Sequence, residues 1–400
     1  MTTQPPFVQF GRYRLFKPLK KGGMARVHVA LDAAEAAVGQ GQLYAVKTLL
    51  PELAGDKGFR EMFTTEGKVG LRLRHPNIVR TFDAGVHEGT AYIAMELIAG
   101  QDVASVLKRL RRDGERLPLP LAVALARDVC AGLDYAHGLR DEQGQPLEIV
   151  NRDVSPGNVM MSWVGEVKLI DFGIAQTTID VRAQIGTIKG KLNYMSPEQI
   201  RGLPVDPRSD VFAVGAMLYE LATGVQVFRD DGDFATMERV RRAEFDLPST
   251  HNAKVDAELD AIVSRALARE VEDRPTSRAL HRLLSGWLTS RGFDVGAPEL
   301  GGFVRALFGA EADAARRELE VASGAAGGLQ ARATPTPMPR ASADAAGTLS
   351  APVAEGSATD PRRVGPPEAA NTRKVGMRVW LRVGVGLCLA GALVASRFWA

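Results

Sequence analysis

Cysteine is nearly missing from this sequence: there are two in 400 residues, Cys130 and Cys388. So widely separated a pair excludes a disulfide framework and a cysteine metal site, and points to a reducing compartment. An excess of charge is missing too, since 50 Lys and Arg face 47 Asp and Glu. A net charge of +3 gives no reason to expect nucleic acid as a partner. The opening stretch, Met1 to Gln9, has neither a basic start nor an apolar run, so it does not read as a secretory leader. From Val321 to Thr372 there is no Phe, Tyr, Trp or Ile, and Ala, Gly, Pro, Ser and Thr dominate. Such a stretch cannot bury enough apolar surface to offset its ordering entropy. It reads as a disordered linker over 321–372, spanning roughly 40 Å as a coil.

Long apolar runs are scarce. One candidate lies near the C-terminus, where the uncharged run from Val383 to Ser396 is short for a membrane span. Counting Val379 to Ala400 gives enough length if Arg382 and Arg397 snorkel to the two interfaces. Arg373, Lys374, Arg378 and Arg382 precede the run, which would keep the preceding domain cytoplasmic. Trp380 and Trp399 sit where interfacial aromatics belong. The alternative is a buried or interfacial amphipathic helix, but the polar positions do not form one helical face. Residues 378–400 are therefore expected to be a C-terminal transmembrane helix, a single-pass inner-membrane anchor.

The folded part runs from about residue 11 to 290, where aromatic and β-branched residues are spread as a core requires. Tyr13 to Lys20, Val27 to Leu31 and Leu43 to Thr48 are short apolar runs between turn residues, which predict strands. Lys57 to Arg74 carries Phe59, Met62, Phe63 and Val69 at helical spacing, and His75-Pro76-Asn77 stops it. Further strands are predicted over Val79 to Val86 and Ala91 to Leu97. After Gly100 helices dominate, with the stronger ones over Leu119 to Leu139, Ser209 to Thr223, Asp256 to Arg269 and Ser277 to Thr289. The fold class is therefore α+β, a β-rich small lobe and an α-helical larger lobe with a cleft between them. Residues 291–320 read as a helical extension of the larger lobe.

Asp171-Phe172-Gly173 ends the apolar strand Val167 to Ile170. A carboxylate just past a strand end suits a metal at a cleft, though the tripeptide alone is as easily an ordinary turn. Upstream, Asn151-Arg152-Asp153-Val154-Ser155-Pro156-Gly157-Asn158 supplies an acid that could accept a hydroxyl proton and, five residues on, an amide oxygen for a second metal. Lys47, in Tyr44-Ala45-Val46-Lys47, lies on a predicted strand, and Glu66 follows nineteen residues later on the predicted helix. A lysine that grips phosphates needs a carboxylate to orient it; by itself Lys47 is as well read as an exposed strand residue. Lys21-Gly22-Gly23-Met24-Ala25-Arg26-Val27 links two strands. It is either a plain hairpin or a glycine loop that lays backbone N–H groups over phosphates.

In this order and spacing the motifs resemble the protein kinase superfamily over Tyr13 to Thr289. They are most similar to the bacterial eukaryotic-type (Hanks-type) serine/threonine kinases, particularly the myxobacterial ones with an Asp-Val-Ser-Pro-x-Asn catalytic loop. The resemblance implies ATP and Mg2+ as cofactors and serine or threonine hydroxyls of proteins as acceptors. It implies that Lys47 contacts the α- and β-phosphates and pairs with Glu66, that Asp153 receives or orients the substrate hydroxyl, and that Asn158 and Asp171 hold the Mg ions. Nucleotide contacts would fall to Lys20, Gly22, Gly23, Val27, Ala45 and Lys47, with Met95 as gatekeeper and Glu96, Leu97 and Ile98 as hinge. Tyr194-Met195-Ser196-Pro197-Glu198 resembles the end of an activation segment. Asp210 resembles the start of the central helix of the larger lobe, and Arg274 the partner of a buried salt bridge to Glu198.

Departures from the family pattern are equally legible. Lys20 and Ala25 stand where the outer glycines of the loop belong. Asn151 replaces the usual His, Ser155 the usual Lys that steadies the transferring phosphate, and Lys191 the Thr that Ser/Thr kinases often carry. Arg152 before Asp153 is the arrangement of kinases controlled on the activation segment, which makes Thr177, Thr178 and Thr187 candidate phosphorylation sites; dimerisation for activation fits the same scheme. Two rival readings stand beside the kinase: a pseudokinase acting as a nucleotide-binding scaffold, and a small-molecule phosphotransferase. Ser196-Pro197-Glu198 with Arg274 counts against the second.

Overall fold

The computed structural model describes residues 7–34, 41–172, 191–315, 317 and 319. The linker over 321–372, the C-terminal segment 378–400, Gly173 and the three candidate threonines of the activation segment lie outside the described residues. Among the described residues no helix is long and apolar enough to cross a membrane.

Strands β1 (Val8–Phe10), β2 (Tyr13–Lys21), β3 (Ala25–Asp32), β4 (Leu43–Leu49), β5 (Thr81–His87) and β6 (Thr90–Glu96) form an antiparallel sheet in the order β1-β2-β3-β4-β6-β5. Alternation sets its faces. Phe63 and Phe59 of helix α1 (Lys57–Gly70) pack with Ala45, Ile93 and Met95 on one side, while Tyr13, Tyr44 and Val46 cluster on the other. Asp56 caps α1 by accepting from the Phe59 N–H. The helix is shorter than its sequence period suggested, because the chain tightens at Leu71, whose N–H reaches both Gly67 and Val69.

The larger lobe is built around α5 (Pro207–Thr223), in which every residue from Ser209 to Thr223 is buried. A helix apolar all round belongs inside a core, and α3 (Leu119–His137) and α9 (Ser277–Ser290) pack around it and each other. Asp206 and Pro207 start α5, and Gly224 at φ 78° ends it. The sequence period did not single out α2 (Val103–Asp113), capped by Asp102, or α6 (Asp233–Arg242), and the one-turn α7 (Pro248–His251) and α8 (Ala257–Ala266) follow before α9. Short strands β7 (Gly100–Asp102), β8 (Val159–Ser162) and β9 (Val167–Leu169) form a second sheet on the cleft side.

Beyond residue 290 the chain continues into α10 (Ala297–Leu307), which buries Leu300 and Val304. It lies close against the β8–β9 turn. A Cβ on Gly301 would stand 2.7 Å from the Val164 carbonyl carbon, and Gly165 at φ 91° would meet the Ala297 carbonyl at 1.8 Å. Only glycine permits that approach.

The short helix α4 (Pro197–Arg201) follows the activation segment and is fixed by charge. Arg274, fully buried, gives Glu198 two hydrogen bonds of 2.7 and 2.9 Å, and Ser209 adds a third. Burial alone would raise the Glu198 pKa; Arg274 and Ser209 outweigh it and hold the carboxyl below its ordinary 4.5. Breaking such a pair by removing one partner strands a buried charge. Arg274→Ala is therefore expected to cost about 3–5 kcal/mol in urea denaturation at neutral pH. A lowered folded pKa gives stability that is present above the unfolded value and lost as pH falls through the folded one. The gap between wild type and variant should accordingly narrow below about pH 4.5.

Candidate active site

The catalytic-loop segment hangs from one buried carboxylate. Asp210, at the start of α5, accepts the N–H groups of Asn151 and Arg152 at 2.7 Å each and a 2.8 Å bond with the His137 ring. Gln199 of α4 donates to the Arg152 carbonyl at 2.9 Å. Between these holds Arg152 sits at φ 67°, a left-handed conformation that a β-carbon resists and that persists only when surroundings over-determine it. Asn151, standing where the family pattern has His, takes on two bonds. Its amide nitrogen donates to the Asp171 carbonyl at 2.9 Å, and its amide oxygen accepts the Asp153 N–H at 3.0 Å. The loop and the strand end carrying Asp171 are thereby joined by one side chain.

Asp153 and Asn158 face each other across the turn Pro156–Asn158. Asn158 Nδ2 donates to both the carbonyl and Oδ2 of Asp153, each at 2.8 Å. That orientation leaves the Asn158 amide oxygen without a hydrogen bond among the described residues. Asp153 Oδ2 also takes the Lys191 ammonium at 2.6 Å, and Asp153 lies behind Asn158 and Lys191, which line the cleft while it does not. Asp171 uses Oδ1 for Lys47 at 3.0 Å and keeps Oδ2 open. Two hard oxygen donors on one wall fit Mg2+, which binds through one or two side chains and keeps phosphate and water oxygens for the rest. No group of three or more His, Cys, Asp or Glu occurs among the described residues, so a cage built of protein alone is not offered there.

Lys47 projects from β4 and bridges Glu66 of α1, at 2.7 Å, and Asp171. Burial works against its charge, but Asp171 and Glu66 more than offset that and push the ammonium pKa up. Burial also pushes the Glu66 carboxyl up, against the pull of Lys47 and with help from Asp171. The lysine is therefore firmly cationic, poised between the lobes.

The remaining candidates surround a cleft of about 1430 Å³, larger than a ligand pocket of ordinary size because it runs on past Lys191 and Tyr194. Lys20, Gly22, Gly23, Val27, Ala45, Met95, Glu96, Leu97 and Ile98 all line it, together with Ser155, Asn158 and Asp171. Gly22 makes the hairpin tip between β2 and β3, its N–H bonded to the Ala25 carbonyl at 2.8 Å. Glu96 has a different emphasis from the expected one. Its carboxylate takes Lys168 at 2.9 Å and the Arg80 N–H at 3.3 Å, so any contact with a base falls to its main chain.

Sequence reasoning did not single out Lys168 or Asp102. Lys168 is a buried lysine inside β9, and nothing in Val167-Lys168-Leu169 reveals that its partner lies 72 residues upstream. Asp102 carried a cap signal before Val103 and receives Lys20 across the cleft mouth at 3.4 Å.

A strand lysine held by a helix carboxylate, opposite a loop that presents a carboxylate and an amide oxygen, defines the class of two-lobed protein kinase folds. The chain belongs to that family: the protein kinase domain matches residues 13–285. Its members use ATP and Mg2+. The chain is 34% identical to the tyrosine-protein kinase MasK of Myxococcus xanthus, over 98% of its own length and 65% of that relative's. It is 36% identical to the serine/threonine-protein kinase PksC of Streptomyces coelicolor, over 68% of this chain and 48% of that one. Identity to the serine/threonine-protein kinase PknB of Mycobacterium leprae is 35%, over 68% and 42%. The chain thus spans less than two thirds of these relatives' lengths, and the relationship is to bacterial kinases of the eukaryotic type. Among solved structures the kinase domain of Mycobacterium tuberculosis PknI superposes with a TM-score of 0.53 at 27% identity, covering 71% of this chain and 99% of that domain.

The Lys20–Asp102 pair is long and Lys20 is 63% exposed, and such pairs contribute about 0–1 kcal/mol. Lys20→Gly is therefore expected to change the calorimetric Kd for Mg-ATP by no more than about fivefold. A larger change would show that the loop departure governs nucleotide affinity.

Proposed function

We propose that this protein transfers the γ-phosphate of Mg-ATP to serine and threonine hydroxyls of proteins, itself included. The observation that carries this reading is the convergence on one cleft of Lys47, held by Glu66 and Asp171, with Asn158 and Lys191, which both hold the Asp153 carboxylate. The acceptor hydroxyl would be oriented by Asp153 Oδ1, which takes its proton as the oxygen bonds to phosphorus and the bond to ADP breaks. Lys47 would hold the α- and β-phosphates through charge. Asn158 and Asp171 would hold Mg2+, which when bound offsets the phosphate charge. Positioning and charge stabilisation are nearly all that phosphoryl transfer asks of a protein. A scaffold without activity would have no need of these groups in register, and this counts against the pseudokinase reading.

Serine and threonine as acceptors are supported by the names of PksC and PknB. Tyrosine is favoured by one observation, that MasK, similar over nearly the whole chain, is named a tyrosine kinase. Control through the activation segment is supported by Arg152, whose Nε is buried with no hydrogen-bond partner among the described residues. Burial lowers its guanidinium pKa, as expected of a cation short of an anion. A phosphate on Thr177, Thr178 or Thr187 would supply one. Residues 378–400 would anchor the domain to the inner membrane facing the cytoplasm, where lateral association offers a route to dimerisation.

Incubation with labelled ATP and a generic basic protein, followed by phosphoamino-acid analysis, tests the proposal. Label is expected on serine and threonine. Asp153→Asn should lower the rate about 10²–10⁴-fold and leave ATP affinity within about twofold. Label surviving that change would point to a contaminant, and label on tyrosine alone would replace the acceptor class.

A further inference from the structure

Two departures from the family pattern meet at one atom. Ser155 stands two residues after Asp153, where the usual lysine would steady the transferring phosphate, and its hydroxyl brings no charge. Lys191 stands where a threonine is usual, and its ammonium lies 2.6 Å from Asp153 Oδ2. Both residues line the same cleft as Asn158 and Asp171.

Three of the four other cations lining the cleft are committed elsewhere, and the fourth, Arg317, belongs to the stretch beyond helix α10. Lys47 is held on the small-lobe wall by Glu66 and Asp171. Lys20 is at the mouth on Asp102, and Arg111 is on Glu220. Lys191 is placed by a rigid base: the turn Leu192–Tyr194 that follows it is buried, and the Tyr194 hydroxyl is bonded to the buried carboxylate of Glu220. The Lys191 side chain is 46% exposed, so it is free to turn toward an arriving anion without opening the core.

From this we infer that Lys191 is a catalytic residue that replaces the missing lysine, supplying the transferring phosphoryl group with positive charge from the activation-segment side. The inference rests on the kinase reading above. A hydroxyl bonded to Asp153 Oδ1 must have its oxygen about 3–3.5 Å from phosphorus to react. A cation on the other oxygen of the same carboxylate is then on the acceptor side of the phosphoryl group, where a flexible lysine side chain can swing toward it. In the transfer the acceptor oxygen bonds to phosphorus, the electron pair of the broken bond leaves with ADP, and the hydroxyl proton goes to Asp153. Lys191 keeps its proton throughout and contributes charge alone. Its contact with Asp153 would hold the ammonium in place until the phosphate shares it.

The test uses the full chain with Mg-ATP and a basic protein acceptor, plus ADP with aluminium fluoride as a stand-in for the phosphoryl group in flight. Lys191→Thr is expected to lower kcat about 10²–10³-fold, as loss of one preorganised charge-stabilising donor does, with the Kd for ATP within about twofold. Affinity for ADP–aluminium fluoride should fall in parallel. Adding Ser155→Lys to that variant is expected to return at least about tenfold in kcat, since the charge is restored from the loop side. A Lys191→Thr rate within about threefold of wild type, or faster, overturns the inference. So does a rate loss with full affinity for ADP–aluminium fluoride, which would leave Lys191 as a positioning residue for Asp153. Failure of Ser155→Lys to recover any rate, with the melting temperature unchanged, also overturns it. A wild-type chain that binds ADP yet neither transfers phosphate nor binds ADP–aluminium fluoride would overturn the kinase reading and this inference together.

Discussion

The site depends on a carboxylate that never touches substrate. Asp210 is buried at the start of the core helix α5, where an anion without partners would be costly. Its partners are two main-chain N–H groups of the catalytic loop and a histidine ring. The loop thus satisfies the charge, and the charge fixes the loop. The strained Arg152 backbone is one consequence, because both of its neighbouring peptide groups are tied, one to Asp210 and one to Gln199. Asp153 follows immediately and inherits that rigidity. On the proposed function, a base held this way would need little reorganisation when a hydroxyl arrives, and low reorganisation is where most of the rate advantage of such sites resides.

Residue identity is a weaker guide to this site than geometry. Asn151 lacks the ring of the usual histidine, yet its amide reaches both Asp171 and Asp153 and joins the loop to the strand end. Lys20 lacks the freedom of glycine, but it sits at an exposed edge where its ion pair is worth little. Scored by motif letters alone, three or four positions count against activity. Judged by what each group touches, Asn151 still ties the loop to Asp171, and Lys47, Asn158 and Asp171 still line the cleft.

Where the sequence was legible, local pattern and tertiary demand agreed. Lys47 and Glu66 are separated by one turn and one helix, so a strand signal and a helix signal sufficed to face them toward each other. Helix α5 announced itself by the apolar stretch Val211 to Leu218. Helix α2 buries Val103, Val106, Leu107 and Leu110 in good period, but three arginines and a lysine among eleven residues masked it. Helix α6 buries only Thr236 and Val240, and two residues four apart make no period. Lys168 was opaque for a different reason. A lysine in a short strand reads as exposed, and only the fold brings Glu96 to cover it.

That Glu96–Lys168 pair and the Lys47–Asp171 pair have a shared consequence for the cleft. Each joins a small-lobe strand to the segment Val167 to Asp171 of the larger lobe, one at the hinge end and one near the catalytic loop. The Lys47–Glu66 bond that brings α1 into register is formed in the same arrangement. None of these pairs involves a phosphorylated activation segment. What such a phosphate would still change lies on the other side of Asp153, where Arg152 keeps a buried Nε without a partner and Lys191 leads into the turn that positions α4. The nucleotide half of the site is assembled by ion pairs within the domain. The acceptor half is where charge remains to be answered, and a control signal in the form of an anion would act there.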